Sequence, residues 1–599
     1  MEQFKLEKVN LKNNCFSKQE KGLKKYQKFI SYYLNNHDEL LLFHSVGSGK
    51  TASMVNAIYN EYKKDNKINI ILFIKAALHD GWEKEFKKWL KEEDLKILDN
   101  INIIHYDSIF SGEDFIKLQK KLIKEKKDKN NYFYIIDEAH NFINNVLSNK
   151  RINKEQGRAL IIYSMIFNQK KDLLENKKSK QKIKIVLMSA TPIVNEPYEL
   201  SLIFNLFEPN IFPLSRYSFN KEYIDDKNNF INQDDFIKKI KKYVSYYYGV
   251  IPNLYAESKK KIYLDIMSNY QSKVYSYYKN LEENDPKHWD HYKVYSRQSS
   301  NFAFPYINKN LNALTRPLLK NYGGIEAGPF ADELNKHINA FYIKFDNAVK
   351  EDKKNNHTLK DDLKITKSYK ELIDMINNNK SSNLLKEMYN CSCKYLHCCL
   401  NIIQSKGPVI VYTYWTWGSS CVLEIYLKYF GFGNYNETKK DKKYNNFRYT
   451  FYNGMETKKK RDNNKNTYNI KENIKGKVIK VMILSSSGAE GLSLFNVRQI
   501  HIIEPFWNDT RNIQVEGRGI RLCSHMNLPK EEQNVKVYYY NSITEKELKN
   551  KKKSTDLYLN EIIKRKSKLN EEFLKILKLN SIDYKLNYEH TKFDKSLHK

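Results

Sequence analysis

Long apolar runs are missing from this 599-residue chain. None approaches the ~18 consecutive apolar residues that a membrane-crossing helix needs, so no membrane partner is expected. The first ten residues, Met1–Asn10, alternate charged and apolar types and lack the apolar core of a secretory signal. Cysteine is scarce. Its seven copies make an odd number with no spacing that reads as a disulfide framework, which points to a reducing, cytoplasmic setting. Acidic residues fall short of basic ones, 70 against 103, leaving a formal charge of +33. So basic a chain usually meets a polyanion, and nucleic acid is the commonest large one. Abundant Lys, Asn, Ile and Tyr also fit AT-rich coding, so charge supports such a partner without identifying it.

The cluster Cys391, Cys393, His397, Cys398 and Cys399 invites a metal reading, but its spacing argues otherwise. It lies in a stretch, 384–403, with helical apolar spacing. Cys391, Cys398 and Cys399 fall on one face of it, where free cysteine behaves as a small hydrophobe. The paired C-x₂₋₄-C spacing of structural zinc, with a second distant pair, is absent.

What is present is enough apolar material, 41% hydrophobic and 14% aromatic, for two or more lobes with sizeable cores. The organising stretch runs from Leu40 to Thr51: an apolar run, a loop with Gly47, Ser48 and Gly49, then Lys50-Thr51 opening an amphipathic segment. Strand, loop and helix in that order make a phosphate cradle. The glycines let several N–H groups face one anion, and the helix N-terminus adds partial positive charge. Lys50 is placed to reach the β- and γ-phosphates of ATP, and the Thr51 hydroxyl to ligate Mg²⁺. His44 stands where the full pattern has glycine. Upstream, Gln27 has the donor and acceptor needed to read an adenine edge.

The segments 68–74 and 101–105 read as buried strands, followed by Lys75 with a Gly81-Trp82-Glu83 turn and by Tyr106-Asp107-Ser108. Strands alternating with helices at this spacing predict a parallel, doubly wound sheet, which binds its ligands at the carboxyl ends of its strands. A further strand, 132–136, runs straight into Asp137-Glu138-Ala139-His140. Two carboxylates at the end of a buried strand are costly unless they hold a cation or do chemistry. Asp137 is assigned to Mg²⁺ and Glu138 to the attacking water. The strand 183–188 closes with Ser189-Ala190-Thr191-Pro192.

In that order, Gly47–Thr51, Asp137–His140 and Ser189–Thr191 resemble motifs I, II and III of superfamily 2 helicase-type ATPases. The resemblance implies an α/β fold of two tandem RecA-like lobes, with ATP and Mg²⁺ between them and nucleic acid across the top. The second lobe supplies matching stretches. The strand ending in Val411-Tyr412-Thr413 is similar to motif IV. Val481–Leu494, containing Ser487 and Gly491, is similar to motif V, and Gln514–Arg521 matches motif VI. In the family, the counterparts of Arg518 and Arg521 reach the γ-phosphate, and the resemblance adds Gln514 to the catalytic residues and Gly491 to the ATP-binding ones. The resemblance assigns His140, Ser189, Thr191, Lys75, Tyr106, Tyr412 and Ser487 to coupling hydrolysis to nucleic acid or to contacting it.

Thr191–Asn195 with Tyr198-Glu199-Leu200 resembles Swi/Snf-type DNA translocases more than RNA helicases. Val244–Tyr247, Ser296–Pro305, Arg521–His525, Ser554-Thr555-Asp556 and Ser581-Ile582-Asp583 resemble the transcription ATPases of large cytoplasmic DNA viruses, typified by poxvirus nucleoside triphosphatase I and the early transcription factor small subunit. Relatives occur on yeast cytoplasmic linear plasmids. The resemblance implies DNA-dependent ATP hydrolysis, movement along DNA, a polymerase or transcription-factor partner, and a cytoplasmic or virion location. A replication helicase, an RNA helicase and a hydrolysis-dead scaffold are the alternatives. The expected organisation is an ATP-binding lobe over 1–215, a linker and start of lobe 2 over 216–280, and a mainly helical insertion over 281–382. The second lobe follows over 383–545, with a basic helical tail over 546–599 whose apolar face packs on lobe 2.

Overall fold

Apolar runs that bury both faces form parallel sheets, and this chain builds two of them. In the computed structural model, residues 1–9, 15, 22–151, 157–176, 178–249, 251–284, 293–305, 327–485, 492–507 and 509–597 are described. They divide into two units.

The first unit comprises Met1–Tyr255, Asn508–Thr510 and Lys564–Lys599. Its strands are β1 (Glu39–His44), β2 (Asn69–Ile74), β3 (Ile101–His105), β4 (Tyr132–Ile136), β5 (Ile183–Ser189) and β6 (Val244–Tyr247). They lie in the order β3-β2-β4-β5-β1-β6, every pair parallel. The order puts β1, β5 and β4 side by side, with Phe43 opposite Ser189 and Ile136 opposite Leu187. The phosphate loop, the Ser189 turn and the Asp137-Glu138 pair therefore leave one edge of one sheet together, the edge at which open α/β sheets bind ligands.

Two expected boundaries are corrected here. Residues 216–255 are no linker: helices Arg216–Tyr223 and Gln233–Ile240 bury Phe219, Tyr223, Phe236 and Ile240, and β6 extends the sheet beside β1. The tail does not pack wholly on the second lobe. Leu569, Phe573 and Leu577 belong to the first unit's core, and Phe573 stacks on Phe230 at 3.6 Å between ring centres. Helical spacing identified the tail's apolar face but carries no information about which core it meets.

The second unit comprises Ala256–Trp507 and Arg511–Ile563. It contains β7 (Glu257–Ile266), β8 (Val409–Tyr412), β9 (Gly433–Asn434), β10 (Arg448–Tyr452), β11 (Val481–Leu484), β12 (Gln499–Ile502) and β13 (Asn534–Ile543), ordered β7-β13-β12-β8-β11-β10-β9. Between β7 and β8 the described residues form helices, among them Asn269–Asn284, Val294–Asn301 and Ala327–Lys354. The cysteine-rich stretch is two helices, Asn383–Cys391 and Cys393–Ile403, broken at Ser392, whose hydroxyl accepts from the Tyr395 N–H. Cys391, Cys393, Cys398 and Cys399 are buried free thiols, and His397 pairs with Asp265 at 2.9 Å while stacking on Tyr369. No helix among the described residues is long and apolar enough to cross a membrane.

Candidate active site

The phosphate loop has the backbone its glycines permit. Gly47 and Gly49 lie at φ 79° and 80°, in the left-handed region, and the helix Lys50–Lys64 starts directly after them. Lys50 Nζ donates to the main-chain carbonyls of His44 (2.9 Å) and Ser45 (3.2 Å), the two residues that open the loop. Thr51 sits partly exposed in the helix's first turn. Gln27, the residue expected to read the adenine edge, lies against the loop. Its Nε2 donates to the Gly49 carbonyl at 3.2 Å, and its Oε1 accepts from the Lys24 N–H at 2.8 Å. Tyr26 adds a hydroxyl bond to the Ser48 carbonyl at 2.5 Å. The loop's outer turn is thus braced by the helix Lys25–Leu34.

At the end of β4 the two carboxylates have different surroundings. Asp137 is buried; loss of solvent, and then the neighbouring Glu138 charge, push its carboxyl up to about 6. Its Oδ1 accepts from the Glu138 N–H and its Oδ2 from Trp82 Nε1, both at 2.9 Å. Glu138 stands at φ 47°, a left-handed conformation that is strained for a side-chain-bearing residue, and its carboxylate is partly exposed. The Tyr106 hydroxyl donates to the Asp137 carbonyl (3.1 Å) and also reaches that of Glu138 (3.3 Å). That corrects the expectation for Tyr106: fully buried, it braces the carboxylate turn rather than meeting nucleic acid. His140 Nδ1 lies 3.0 Å from Ser189 Oγ and 3.4 Å from Glu138 Oε2, and Ser189 Oγ accepts from the Thr191 N–H at 3.0 Å. Glu138, His140, Ser189 and Thr191 therefore form one connected series. Lys75 follows β2 directly and is partly exposed.

Sequence reasoning missed Trp82. The expected Gly81-Trp82-Glu83 turn is instead part of the helix His79–Trp89, which buries Trp82 and Phe86 one turn apart. An indole N–H is a donor only, so its bond to Asp137 Oδ2 favours the ionised, accepting carboxylate. In Trp82→Phe the ring packing stays and the donor goes. The Mg²⁺ concentration for half-maximal ATP hydrolysis should then rise about tenfold, the scale of one hydrogen bond to a charged group. A Mg²⁺ titration with thermal melting checks this; a lowered melting temperature with an unchanged titration would reduce Trp82 to packing. Glu199 was also missed in its role. Its buried carboxylate accepts from the Val194 N–H (2.6 Å) and the Asn195 N–H (2.9 Å), and burial lifts it to about 7.

In the second unit, Gln514 and Arg518 lie on the helix Thr510–Gly519 and Arg521 just beyond it. Arg518 is buried; its Nε donates to the Gln514 carbonyl (3.0 Å) and its Nη1 to the Leu492 carbonyl (3.3 Å). Arg521 is partly exposed, and its Nη1 donates to the same Leu492 carbonyl (3.2 Å) and to Ser493 Oγ. Tyr412 is buried at the end of β8, which removes it from the set of nucleic-acid contacts. Ser487 and Gly491 lie outside the described residues.

A glycine-bent loop opening a helix, paired carboxylates at a neighbouring strand end and two parallel sheets are the parts of a nucleotide hydrolase. Residues 12–194 match the family described as type III restriction enzyme, res subunit, and residues 389–523 match the helicase conserved C-terminal domain. The "Putative ATP-dependent RNA helicase R350" of Acanthamoeba polyphaga mimivirus is 36% identical over 99% of this chain and 78% of that protein. Nucleoside triphosphatase I of Heliothis armigera entomopoxvirus is 31% identical over 95% of this chain and 80% of that protein. The Sulfolobus solfataricus SWI2/SNF2 ATPase core in complex with dsDNA overlaps at a TM-score of 0.30 and 15% identity, over 92% of this chain and 95% of that one. The class is therefore a superfamily 2 helicase-type ATP hydrolase. Within it, the chain belongs to the family that includes nucleoside triphosphatase I of the entomopoxviruses.

Proposed function

We propose that this protein hydrolyses ATP in response to DNA and uses the energy to move along it, serving transcription of a cytoplasmic viral or linear-plasmid genome. The observation that carries the reading is the likeness to nucleoside triphosphatase I along most of both chains. The charge of +33 supports a polyanionic track. A polymerase or transcription-factor subunit of the same cytoplasmic or virion compartment is the proposed protein partner.

In this reading the loop N–H groups and Lys50 hold the phosphates of ATP. The Thr51 hydroxyl and the Asp137 carboxylate are hard oxygen donors of the kind Mg²⁺ takes, and the buried Asp137 charge is one that a cation would compensate. Bound there, the ion would neutralise charge on the β- and γ-oxygens. Glu138, partly exposed beside it, takes the proton of the attacking water. By resemblance to the family, Gln514, Arg518 and Arg521 are the residues that would act on the γ-phosphate. The series from Glu138 through His140 and Ser189 to Thr191 passes the state of that phosphate to the nucleic-acid contacts, for which Lys75 remains a candidate.

The test is an ATPase assay with duplex DNA, single-stranded DNA and RNA as separate additions. DNA should stimulate strongly, and its apparent affinity should fall steeply with salt as counterions are released. The mimivirus relative's name makes RNA the arm to watch. Stimulation by RNA with none by DNA would replace this reading with an RNA-directed motor.

A further inference from the structure

Three stretches set apart in the sequence meet in the first unit: His44 at the root of the phosphate loop, Val244–Tyr247, and Ser581-Ile582-Asp583 near the end of the chain. His44 Nε2 lies 2.8 Å from Ser245 Oγ, and Ser245 Oγ donates to Asp583 Oδ2 at 2.6 Å. All three side chains are fully or almost fully buried. The other oxygen, Oδ1, accepts from the Tyr246 N–H at 2.8 Å. The tail continues this pattern along β6, the sheet's outer strand. The Ile582 N–H donates to the Val244 carbonyl (2.8 Å), Asn587 Nδ2 donates to the Tyr246 carbonyl (3.0 Å), and the Tyr246 hydroxyl donates to Asp594 Oδ2 (2.5 Å). Polar groups that an edge strand would leave open are thus taken by the tail. In turn β6 holds the loop's root: His44 pairs with Tyr247, and the Ser45 N–H donates to the Tyr247 carbonyl at 3.0 Å.

The directions of the hydrogen bonds follow from the chemistry. Burial lifts the Asp583 carboxyl to about 6, which leaves it the ionised acceptor at neutral pH. Burial and the Lys50 charge hold His44 neutral. Ser245 spends its only proton on Asp583, so its oxygen accepts from His44, which must carry its proton on Nε2. His44 Nδ1 is then a bare lone pair, in agreement with its having no hydrogen-bond partner.

We propose that Asp583, acting through Ser245, is a positioning residue of the nucleotide site. It fixes the His44 ring and with it the carbonyl that Lys50 grips. The C-terminal segment from Ile582 to Asp594 is on this account a working part of the ATP-binding lobe. The proposal rests on the reading that the loop 47–51 holds the nucleotide.

The experiment uses the full chain with Asp583→Asn, Ser245→Ala and their double variant, with Lys50→Ala as control. Asparagine keeps an acceptor for the Tyr246 N–H but donates to Ser245, which frees the serine proton for His44 Nε2. Histidine ¹⁵N spectra should therefore show His44 move its proton from Nε2 to Nδ1, a change that a purely packing role would not produce. Nucleotide dissociation constants should rise about tenfold in each single variant, as for one charged hydrogen bond. The double variant should lose no more than either single one, since both break the same chain. An unchanged dissociation constant in Asp583→Asn, an unmoved His44 proton, or losses that multiply in the double variant would each overturn the proposal. If Lys50→Ala also left nucleotide binding intact, the fault would lie with the site reading beneath it.

Discussion

Replacing Glu138 with Gln should lower the ATP turnover number by about 10²–10⁴-fold, the share of a positioned general base, while nucleotide affinity holds or improves. The structure separates the two carboxylates that the sequence sets side by side. Asp137 is buried and held on both oxygens, by Trp82 and by the Glu138 N–H. Glu138 is the more open of the two and has His140 within 3.4 Å of it. The amide variant keeps the side-chain shape and the φ of 47°, which Tyr106 and the Asp137 carboxylate maintain through the backbone. What is lost is the charge and one acceptor oxygen. Since the Glu138 charge raises the Asp137 carboxyl, its removal makes Asp137 a stronger acid. Steady-state turnover at saturating ATP, measured beside nucleotide binding, checks both halves. A fall of less than tenfold would move the proton acceptor elsewhere, and loss of binding would make Glu138 structural.

Much of this site was legible because its residues sit where a strand ends. An apolar run followed at once by Gly-x-Gly-Lys-Thr, or by Asp-Glu, marks both the element and the place where its chemistry emerges, and both are local features. The supports were not legible. Ser245 and Asp583 are 338 residues apart, and nothing in either neighbourhood names the other. Tyr106 and Tyr412 followed or ended predicted strands and were read as contacts. A tyrosine at that position can equally turn inward, and only the tertiary packing decides. Trp82 was placed in a turn because Gly81 precedes it. The burial of Trp82 and Phe86 on one helix face outweighed the cost of about 1 kcal/mol for a helical glycine. The extent of the first lobe failed for a related reason. The strand Val244–Tyr247 is only four residues long, and part of its hydrogen bonding comes from tail residues at the far end of the chain.

Arg521→Ala should cost about 10³-fold in DNA-stimulated turnover if this residue acts as an arginine finger, and the structure distinguishes it from Arg518. Both donate to one acceptor, the Leu492 carbonyl, which has two lone pairs and receives two guanidinium N–H groups. Arg518 is 5% exposed and also bonds a carbonyl of its own helix. Its removal would leave that segment short of a donor and should lower the melting temperature together with activity. Arg521 lies beyond the helix end, is partly exposed, and has its N–H held by Ser524 Oγ at 3.1 Å, so its backbone stays fixed when its side chain is cut. Its loss should fall mainly on turnover. Arg521→Lys keeps the charge but not the planar fork, and a two-pronged contact with phosphate oxygens predicts that lysine restores little. Turnover at saturating ATP and DNA, read with thermal melting for Arg518→Ala, Arg521→Ala and Arg521→Lys, checks the assignment. Full recovery with lysine would reduce Arg521 to a point charge. An undiminished melting temperature in Arg518→Ala with the greater loss of turnover would exchange the two roles.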